Sequence, residues 1–482
     1  LKPLIDSRDL INVKIVLTIL NISRTIIPTK KEEIPVSYNS ITDKYSGKRY
    51  TIPGPFINNF IKSITNKKTL APVTRNNFYL SLKQAPHGPT ILSIADSIKY
   101  YQHTNIMNLW ILAGQDFVNK IFGPFFSYVN HNELKIPKGP SKKKEKSFTH
   151  KALGRLAIVK DPECKMRVIA MIDYYSQITL KPIHDTLLDI LSKMPCDRTF
   201  SQDPMHKWEG KDMYWSLDLT AATDRFPILL EAKLLSYLYN NGWRIAKHWV
   251  SILHDRDYVT PEGDLLRYKV GQPMGSYSSW ASFTLTHHLV VAWAAHLCGI
   301  PNFTNYILLG DDIVIKNNKV AKKYIWVMNR LGVEISMHKT HVSKDTYEFA
   351  KRWIRNKQEI SGLPLKGIAQ NLKNPYILYL IFLDYFTIKG NTYLGANTLS
   401  FLVERIYNNL ILKIKNKEII FNSRFLKNQL LYFSTMVRNS LGLATNEELR
   451  WFLAIHSSKL GELVLPWNIQ ILWKRVISNE LA

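Results

Sequence analysis

The order of hydrophobic and polar residues predicts short strands separated by longer helices in the middle of the chain. Residues 213–219 form an apolar run that predicts a strand, and residues 225–239 carry apolar side chains at helical spacing. The Asn240-Asn241-Gly242 segment predicts the end of that helix, because these residue types favour turns. Residues 258–270 predict a β-hairpin with its turn at residues 261–264.

A second hairpin is predicted further along the chain. Residues 307–309 and 313–315 are two apolar triplets that flank Gly310-Asp311-Asp312, which is the pattern of a tight strand-turn-strand. Residues 279–295 predict a mostly buried helix that follows a glycine-containing loop. From about residue 356 onward the pattern is helical and lacks any cluster of catalytic residue types, so the tail is predicted to be an α-helical lobe.

Composition predicts a large, folded protein with an anionic partner. The chain has 482 residues and is 46% hydrophobic, which is enough for several lobes with their own cores and excludes global disorder. Lysine and arginine number 64 against 38 acidic residues, a formal net charge of +26. Because neutralising phosphates releases counterions whatever the base sequence, a nucleic acid is the favoured partner, with an anionic membrane surface as the alternative.

Local composition refines this picture. Residues 137–151 are rich in proline, glycine and lysine and predict a basic loop or linker. The three cysteines are widely spaced, which favours neither a disulfide framework nor a structural zinc site. No apolar run reaches the roughly 20 residues of a membrane span, and residues 1–28 lack a signal peptide's uninterrupted core. Because position 1 is Leu, we expect a fragment.

Three carboxylates indicate a metal site. Asp311 and Asp312, adjacent at the tip of an apolar hairpin, repel each other and are costly to desolvate, so they are expected to need a cation. Asp218 lies at the carboxyl end of the strand predicted at 213–219, and it joins them if that strand pairs beside the hairpin. Carboxylate oxygens suit Mg²⁺, and three convergent carboxylates predict two-metal phosphoryl transfer.

Five sequence motifs resemble those of viral RNA-dependent RNA polymerases, and their residues are specifically similar to those of mitovirus polymerases. In that family's terms they are motif F at residues 154–167, motif A at 216–226, motif B at 271–280, motif C at 310–312 and motif E at 347–352. Residues 17–24 and 87–89 add to the resemblance, which covers about residues 10–355.

The resemblance implies an α+β right-hand polymerase with fingers, an antiparallel-sheet palm and a helical thumb. Its divisions are expected to be an N-terminal extension and fingers at 1–135, fingers with motif F at 136–205, palm at 206–355 with a fingers insertion at about 240–272, and thumb at 356–482.

The resemblance also implies roles for the motif A, B and C residues. Asp218 and Asp311 are expected to bind both metal ions, with Asp312 as an adjusting ligand. Asp224 is expected to accept a hydrogen bond from the ribose 2′-hydroxyl, unless it is only a carboxylate at the start of the next helix. Gly275 lets the backbone approach the nucleotide, and Ser279 orients Asp224 or the ribose.

The set of residues that recognises the ribose is expected to differ from that of many related polymerases. Many related polymerases carry an asparagine four residues after the position of Ser279, whereas this chain has Phe283 there. His287 and His288, which follow on the same predicted helix, have no metal partner at a fitting spacing and are expected to be structural.

Basic residues are expected to handle the triphosphate. Lys160, Lys165 and above all Arg167 are candidates for binding the phosphates, with a solvated basic face as the alternative. Lys339 is the candidate for protonating the pyrophosphate leaving group, with His338 and Lys344 as alternatives.

The implied activity is template-directed RNA synthesis from ribonucleoside triphosphates with Mg²⁺ or Mn²⁺, on a viral RNA copied in the host mitochondrion. A reverse transcriptase or maturase shares the palm carboxylates but carries an aromatic steric gate where this chain has Asp224. A catalytically inactive, genome-integrated relic that retains RNA binding is the other alternative. Oligomeric state is left open.

Overall fold

The computed structural model describes residues 3–4, 9–25, 36–48, 50–74, 77, 82–86, 88–90, 106–114, 152–161, 165–372, 374–388, 395–413 and 423–450. The basic segment at 137–151 lies outside these residues, as do His87 and Cys164. The chain forms two compact units, one made of residues 29–358 and the other of residues 1–28 together with 359–482. The four divisions expected from the sequence stay a prediction.

The described helices are α1 (Leu10–Leu20), α2 (Asn39–Thr42), α3 (Gly54–Ile64), α4 (Ile106–Ala113), α5 (Tyr174–Ser192), α6 (Ala222–Arg225), α7 (Ile228–Leu238), α8 (Gly242–His254), α9 (Ser279–Leu297), α10 (Asn318–Arg330), α11 (Leu365–Gln370), α12 (Pro375–Leu383), α13 (Ala396–Lys413) and α14 (Ser423–Ser440). A 3₁₀ helix spans Asn21–Thr25 and a π-helix spans Asp384–Ile388.

The described strands are β1 (Gln84–Ala85), β2 (Gly88–Pro89), β3 (Ala152–Asp161), β4 (Lys165–Ile172), β5 (Tyr214–Leu217), β6 (Asp257–Val259), β7 (Leu265–Leu266), β8 (Tyr306–Leu309), β9 (Asp312–Ile315), β10 (His341–Ser343), β11 (Thr346–Phe349), β12 (Arg352–Arg355) and β13 (Gln358–Glu359). This mixture of helices with largely antiparallel sheets confirms the predicted α+β class.

The central sheet has four antiparallel strands in the order β10-β5-β9-β8. It contains the strand predicted at 213–219 and the hairpin predicted around Gly310-Asp311-Asp312, and both predictions are confirmed. In the hairpin Leu309 pairs with Asp312, so the connection is only two residues long.

Both faces of this sheet are covered, which explains its uniformly apolar strands. Leu308 and Ile313 pack into the main core, which contains the buried side of α9. Ile307 and Val314 point the other way and pack against a separate cluster from β11 and β12. A strand buried on both faces needs hydrophobic residues at every position, because successive side chains alternate between the faces.

A second four-stranded sheet has the order β4-β3-β6-β7. It joins the long β3–β4 hairpin, which carries motif F, to the β6–β7 hairpin. The β6–β7 hairpin confirms the prediction for residues 258–270, with its turn at Thr260–Asp264, where Thr260 Oγ1 accepts from the Asp264 N–H. The pairing of β6 with β3 is the association expected if residues 240–272 are an insertion belonging with motif F.

The prediction of one helix over residues 225–239 is wrong at its start. A short helix, α6, ends at Arg225, and the long helix α7 begins only at Ile228. Pro227 lies between them and its ring disfavours helical backbone in the residue before it, so Phe226 is extended at φ −72° and ψ 126°. Asp224 therefore lies in a separate turn and not at the start of the long helix.

The unit that contains residues 359–482 is helical in its described part, as predicted. Its core is formed by α12, α13 and α14, through side chains such as Leu378, Phe382, Val403 and Phe433. Within the described residues, every helix is too short or too polar to cross a lipid bilayer.

A buried ion pair ties α5 to the end of α8 in the larger unit. Asp173 caps α5 by accepting from the Ser176 N–H at 2.9 Å, and it also accepts from Arg256 Nη1 at 2.9 Å. Arg256 Nη2 donates to Ser176 Oγ at 2.7 Å. Both charged side chains are almost fully buried, with side-chain exposures of 1% and 3% for Arg256 and Asp173. The two buried charges therefore neutralise each other, and these hydrogen bonds help to satisfy them.

Replacing Arg256 by Ala should destabilise the protein strongly. The Asp173 carboxylate would remain buried without its counter-charge, and removing one partner of a buried pair costs about 3–5 kcal/mol. Lys193→Ala is the matched control, because the Lys193–Asp189 pair is exposed and such pairs contribute roughly 0–1 kcal/mol. Urea denaturation followed by tryptophan fluorescence compares the two variants. Equal loss of stability in both would contradict this account of the ion pair.

Candidate active site

The strand register brings the three candidate metal carboxylates to one edge of the central sheet. Leu217 of β5 pairs with Ile313 of β9, so Asp218, the next residue along β5, lies beside Asp312 at the start of β9. Asp311 occupies the two-residue turn that precedes β9. Because neighbouring strands are about 4.8 Å apart, this register places two separate acidic segments side by side.

The turn of motif C depends on Gly310. Its φ of +60° is in the left-handed region, which favours glycine. A Cβ at this position would meet the Trp280 ring of α9 at 3.1 Å, so a side chain would also push against the motif B helix. The turn thus holds the two aspartates in a tight backbone conformation that packs on α9.

The electrostatics show uncompensated negative charge at this edge. Burial raises the pKa of Asp311, and the charge of Asp218 raises it further. Burial, followed by the charge of Asp311, raises the pKa of Asp312 to about 6. Lys351 lowers both values and Arg167 lowers that of Asp311, without cancelling the shifts. Carboxyl groups in this state favour a bound cation.

A buried histidine supports the motif C turn from below. His287 Nδ1 lies 2.8 Å from the Gly310 carbonyl oxygen, and its Nε2 lies 2.6 Å from the Tyr324 hydroxyl. Burial lowers the pKa of His287 to about 3, so the ring is neutral. Since a carbonyl only accepts, Nδ1 carries the proton and the Tyr324 hydroxyl donates to Nε2. This hydrogen bonding fits the structural role expected for His287.

His288, its neighbour in α9, is also held by hydrogen bonds away from the carboxylates. Its Nε2 lies 3.1 Å from Asp197 Oδ2, and its Nδ1 lies 2.8 Å from the Tyr306 hydroxyl. Both partner side chains are buried. The structural role predicted for His288 agrees with this placement.

Lys339 contacts the active-site carboxylates. Its Nζ donates to Asp218 Oδ2 at 2.6 Å, while 63% of the lysine side chain stays exposed. The segment that carries it is tied to motif A, because the Ser336 N–H donates to the Asp218 carbonyl and the Thr220 N–H donates to the Glu334 carbonyl. Among the three candidates proposed from the sequence, Lys339 is therefore the one with a contact to Asp218.

The motif B loop is hydrogen-bonded to the turn of motif A. The Gly271 N–H donates to the Asp224 carbonyl at 2.9 Å, and the Gln272 N–H donates to the Thr223 carbonyl at 3.0 Å. A Cβ at Gly271 would meet the Thr223 carbonyl oxygen at 2.1 Å, so only glycine permits this approach. At the other end of the loop, the Gly275 carbonyl accepts from Gln177 Nε2 at 3.0 Å.

Asp224 is anchored by a residue that the sequence did not indicate. Ser40 Oγ, from α2, donates to Asp224 Oδ2 at 2.7 Å. Ser279 Oγ is buried without a hydrogen-bond partner in the described structure, so it makes no bond to Asp224, and its expected role toward the ribose stays a prediction. Its own carbonyl instead accepts from Gln272 Nε2 at 3.0 Å. The physical reason is that Ser279 already starts α9, where its backbone is held by the loop.

The basic residues of motif F do not all lie together. In the β3–β4 hairpin Arg167 is opposite Val159 and Lys160 is opposite Met166, so Arg167 and Lys160 lie on opposite faces. Arg167 is the one close enough to Asp311 to lower its pKa. Lys165 lies in β4, but its side chain is outside the described set. Arg167 and Lys160 therefore cannot belong to a single phosphate-binding site on one face of this hairpin.

Lys351 is a further basic residue near the carboxylates. It lies in the turn between β11 and β12, where it and Ala350 adopt left-handed backbone with φ of +65° and +49°. Its charge lowers the pKa of both Asp311 and Asp312. No sequence pattern signals this contact, because it depends on how the motif E hairpin packs on the sheet.

The candidate ligands suit a divalent cation, because they are carboxylate oxygens and carry negative charge. Three carboxylates lie at one edge, and burial, with the charge of a neighbouring carboxylate, raises the pKa of Asp311 and Asp312, a shift that a bound cation would oppose. In the described part of the chain, however, no three His, Cys, Asp or Glu side chains are arranged as a ready metal cage. Asp218 is turned to Lys339, so ion binding would require Asp218 to exchange that partner for the cation.

Comparison with known proteins identifies the family. Residues 71–480 match the family model described as mitovirus RNA-dependent RNA polymerase, which is most of the chain. The chain belongs to the mitovirus RNA-dependent RNA polymerase family. This confirms the resemblance found in the motifs and, together with the observed helices and antiparallel sheets, the prediction of an α+β right-hand polymerase.

Individual relatives include a viral and a plant protein. The chain is 39% identical over 207 residues to the RNA-directed RNA polymerase of Cryphonectria parasitica mitovirus 1, covering 42% of this chain and 25% of that protein. It is 36% identical over 202 residues to an uncharacterized mitochondrial protein of Arabidopsis thaliana, covering 38% of this chain and 78% of that protein. The match thus spans about a quarter of the viral relative's length.

Among solved structures, the RNA-dependent RNA polymerase of a human picorbirnavirus is similar at 18% identity with a TM-score of 0.35. That match covers 67% of this chain and 65% of the other. A structure described as an RdRp complex is similar at 12% identity with a TM-score of 0.44, covering 80% of this chain and 36% of the other. Likeness at this level assigns no activity to the chain.

In this mitovirus-family chain a buried carboxyl supports motif B. Glu231 of α7 is fully buried, and its Oε2 accepts from Gln272 Nε2 at 2.6 Å and from Ser282 Oγ. Burial raises the pKa of Glu231 to about 8, against an ordinary value of 4.5. At neutral pH the carboxyl is therefore mostly protonated, and it joins α7 to both the loop and the start of α9.

Glu231 should make the protein less stable as pH rises. The native state keeps a proton that the unfolded chain loses above about pH 4.5, so this contribution is full at low pH and is lost as pH rises to about 8. Glu231→Gln should gain stability relative to the wild type across that range and then level off. Denaturation midpoints from about pH 5 to 9 measure the difference.

Glu334→Gln is the control for this pH series, since Glu334 is exposed and its side chain takes no part in the network. A constant difference between wild type and Glu231→Gln at every pH would show that Glu231 is ionised throughout, contrary to the assignment.

Proposed function

We propose that the protein is an RNA-dependent RNA polymerase that joins ribonucleoside triphosphates on an RNA template by two-metal-ion nucleotidyl transfer. The observation that carries the proposal is the β5–β9 register, which puts Asp218 of motif A beside Asp311 and Asp312 of motif C. Membership of the mitovirus polymerase family and a net charge of +26 support it.

The proposed metal ligands are Asp218 and Asp311, with Asp312 as the adjusting ligand. When bound there, Mg²⁺ or Mn²⁺ would supply charge neutralisation at the phosphates and activation of the attacking 3′-hydroxyl. The protein's own part is to hold the carboxylates in register on two neighbouring strands. The tight Gly310 turn and the neutral His287 beneath it keep this edge in place.

The remaining side chains are proposed to handle the nucleotide. Arg167, which is exposed and close to Asp311, is suited to hold the triphosphate, because a guanidinium binds phosphate oxygens in a bidentate way. Lys351 adds a second positive charge near the same carboxylates. Asp224 is proposed to accept from the ribose 2′-hydroxyl. Lys339 is proposed to donate a proton to the pyrophosphate that leaves.

The biological template is proposed to be a mitovirus-like RNA, copied in mitochondria. The matching relative is named as a mitovirus polymerase, and two Arabidopsis relatives are named as mitochondrial proteins. Because those plant relatives carry no assigned activity, the inactive relic stays as a second candidate. The reverse-transcriptase alternative has no such support, since the family model that matches is that of an RNA-dependent RNA polymerase.

Replacing a proposed metal ligand should abolish synthesis while leaving RNA binding. Asp311→Asn and Asp218→Asn keep the side-chain size but remove the charge that a divalent ion needs, so nucleotide incorporation should fall by at least about 10³-fold. Primer extension on an RNA template in Mg²⁺, beside RNA binding by fluorescence anisotropy, measures both. Asp185→Asn, at an exposed helical ion pair, is the control and should stay active.

The same assay separates the alternatives. Incorporation that survives in Asp311→Asn would contradict the metal assignment. Wild-type protein that binds RNA but makes no product would favour the relic, and preferential use of deoxyribonucleotides would favour a reverse transcriptase.

Variants of Lys339 should separate proton donation from charge neutralisation. Lys339→Ala removes both functions, whereas Lys339→Arg keeps a positive charge beside Asp218 but cannot release a proton near neutral pH. If Lys339 is the general acid, both variants should slow single-nucleotide incorporation at saturating substrate by about 10²-fold.

Lys344→Ala tests the alternative candidate, an exposed lysine a few residues away, and should keep the wild-type rate. A Lys339→Arg protein with the wild-type rate would contradict proton donation and leave Lys339 only as a partner for Asp218.

A further inference from the structure

The segment at residues 36–48, here called the N-terminal strap, crosses the turn that carries Asp224. It contains the short helix α2, which packs against α6. The strap lies outside all five polymerase motifs. It nevertheless contacts motif A at several separate points, so its role goes beyond covering a surface.

Arg225 anchors the strap to motif A through the backbone. Its Nη1 donates to the Asp43 carbonyl at 2.8 Å, and its Nη2 donates to the Lys44 carbonyl at 2.9 Å. The Ile41 carbonyl accepts from the Lys269 N–H at 3.1 Å on the other side. These bonds fix the strap's backbone within α2, the helix that carries Ser40, and just after it.

The far end of the strap is fastened to the turn after α10. The Lys48 N–H donates to the Arg330 carbonyl at 3.0 Å, and the Tyr45 hydroxyl donates to the same carbonyl at 3.2 Å. Ser46 Oγ lies 3.4 Å from the Gly332 carbonyl oxygen. The strap is therefore held from α2 to its C-terminal end, and Ser40 has a defined position over α6.

Ser40 fixes one of the two carboxylate oxygens of Asp224. Its hydroxyl donates to Oδ2 at 2.7 Å. Asp224 Oδ1 is buried and has no hydrogen-bond partner in the described structure. The Tyr268 hydroxyl is also buried beside the Asp224 carboxylate and is a second donor within reach of it; burial, followed by the charge of Asp224, raises the pKa of Tyr268. With Oδ2 held by Ser40, the carboxylate plane is fixed and so is the direction in which Asp224 accepts hydrogen bonds.

The motif B helix does not supply this anchor. Phe283 occupies the position where many related polymerases carry an asparagine, and its ring packs edge-on against Phe226 at 5.0 Å between centroids. Ser279 Oγ, the other expected donor, has no hydrogen-bond partner in the described structure. The donor that holds Asp224 thus comes from the strap, 184 residues earlier in the chain.

We propose that Ser40 is a positioning residue for sugar selection: it holds the Asp224 carboxylate in the orientation in which it accepts from the ribose 2′-hydroxyl. This inference rests on the proposed polymerase function. A 2′-deoxynucleotide cannot make that hydrogen bond, so a fixed Asp224 favours the ribonucleotide over it. An Asp224 that rotates freely discriminates less.

Sugar discrimination is the measurement that tests Ser40. It is the ratio of kcat/KM for a ribonucleoside triphosphate to that for its 2′-deoxy counterpart, in single-nucleotide extension of a primed RNA template. In Ser40→Ala this ratio should fall about tenfold, equivalent to about 1.4 kcal/mol. Most of the change should appear as slower ribonucleotide use, with deoxyribonucleotide use little altered.

Matched variants separate positioning from general damage to the strap. Ser46→Ala removes a serine hydroxyl from the same strap but leaves the bond to Asp224, so its ratio should equal that of the wild type. Ser40→Thr and Ser40→Val have nearly the same shape and differ in the hydroxyl. The Thr variant should keep discrimination and the Val variant should lose it, which tests the proposal even if Ser40→Ala folds poorly.

Each outcome bears on the proposal. A tenfold lower ratio in Ser40→Val than in Ser40→Thr, at similar melting temperatures, supports it. Equal ratios in these two variants, with an active wild type, overturn the role of Ser40 while leaving the polymerase function in place. A wild type that extends no primer overturns both.

Discussion

The antiparallel pairing of β5 with β9 is the constraint on which the rest of the site depends. It sets Leu217 against Ile313 and so places Asp218 next to the motif C aspartates. Burial and mutual repulsion then raise the pKa of Asp311 and Asp312. The carboxylates stay close together despite this repulsion because both faces of the sheet are packed with apolar side chains, which prevent a shift in strand register.

Around this edge, polar residues act mainly by holding backbone and carboxylates in place. His287 supports the Gly310 carbonyl, Glu231 joins the motif B loop to two helices, and Ser40 holds Asp224. All three lie behind residues that are proposed to meet the metal or the nucleotide. Their common effect is preorganisation: less side-chain reorientation is then needed when substrate arrives.

Local patterns in the sequence were enough to predict the hairpins, the α9 helix and the acidic residues proposed as metal ligands. Each of these features is signalled by residues that are close together in the sequence. The predicted start of α7 was wrong because the prediction followed the helical spacing of apolar residues and neglected the local effect of Pro227. The contacts of Ser40 and Lys351 were missed for another reason. They join segments far apart in sequence, and a lone serine or lysine carries no periodic signal of its tertiary partner.

The central claim is that Asp218, Asp311 and Asp312 together hold the catalytic metal ions. Crystals of the protein grown with Mn²⁺ and a non-hydrolysable ribonucleoside triphosphate test it directly through the anomalous scattering of manganese. We predict two manganese peaks within coordination distance of Asp218 and Asp311, with Lys339 displaced from Asp218. Manganese bound elsewhere, with the Lys339–Asp218 ion pair intact beside a bound nucleotide, would contradict the account.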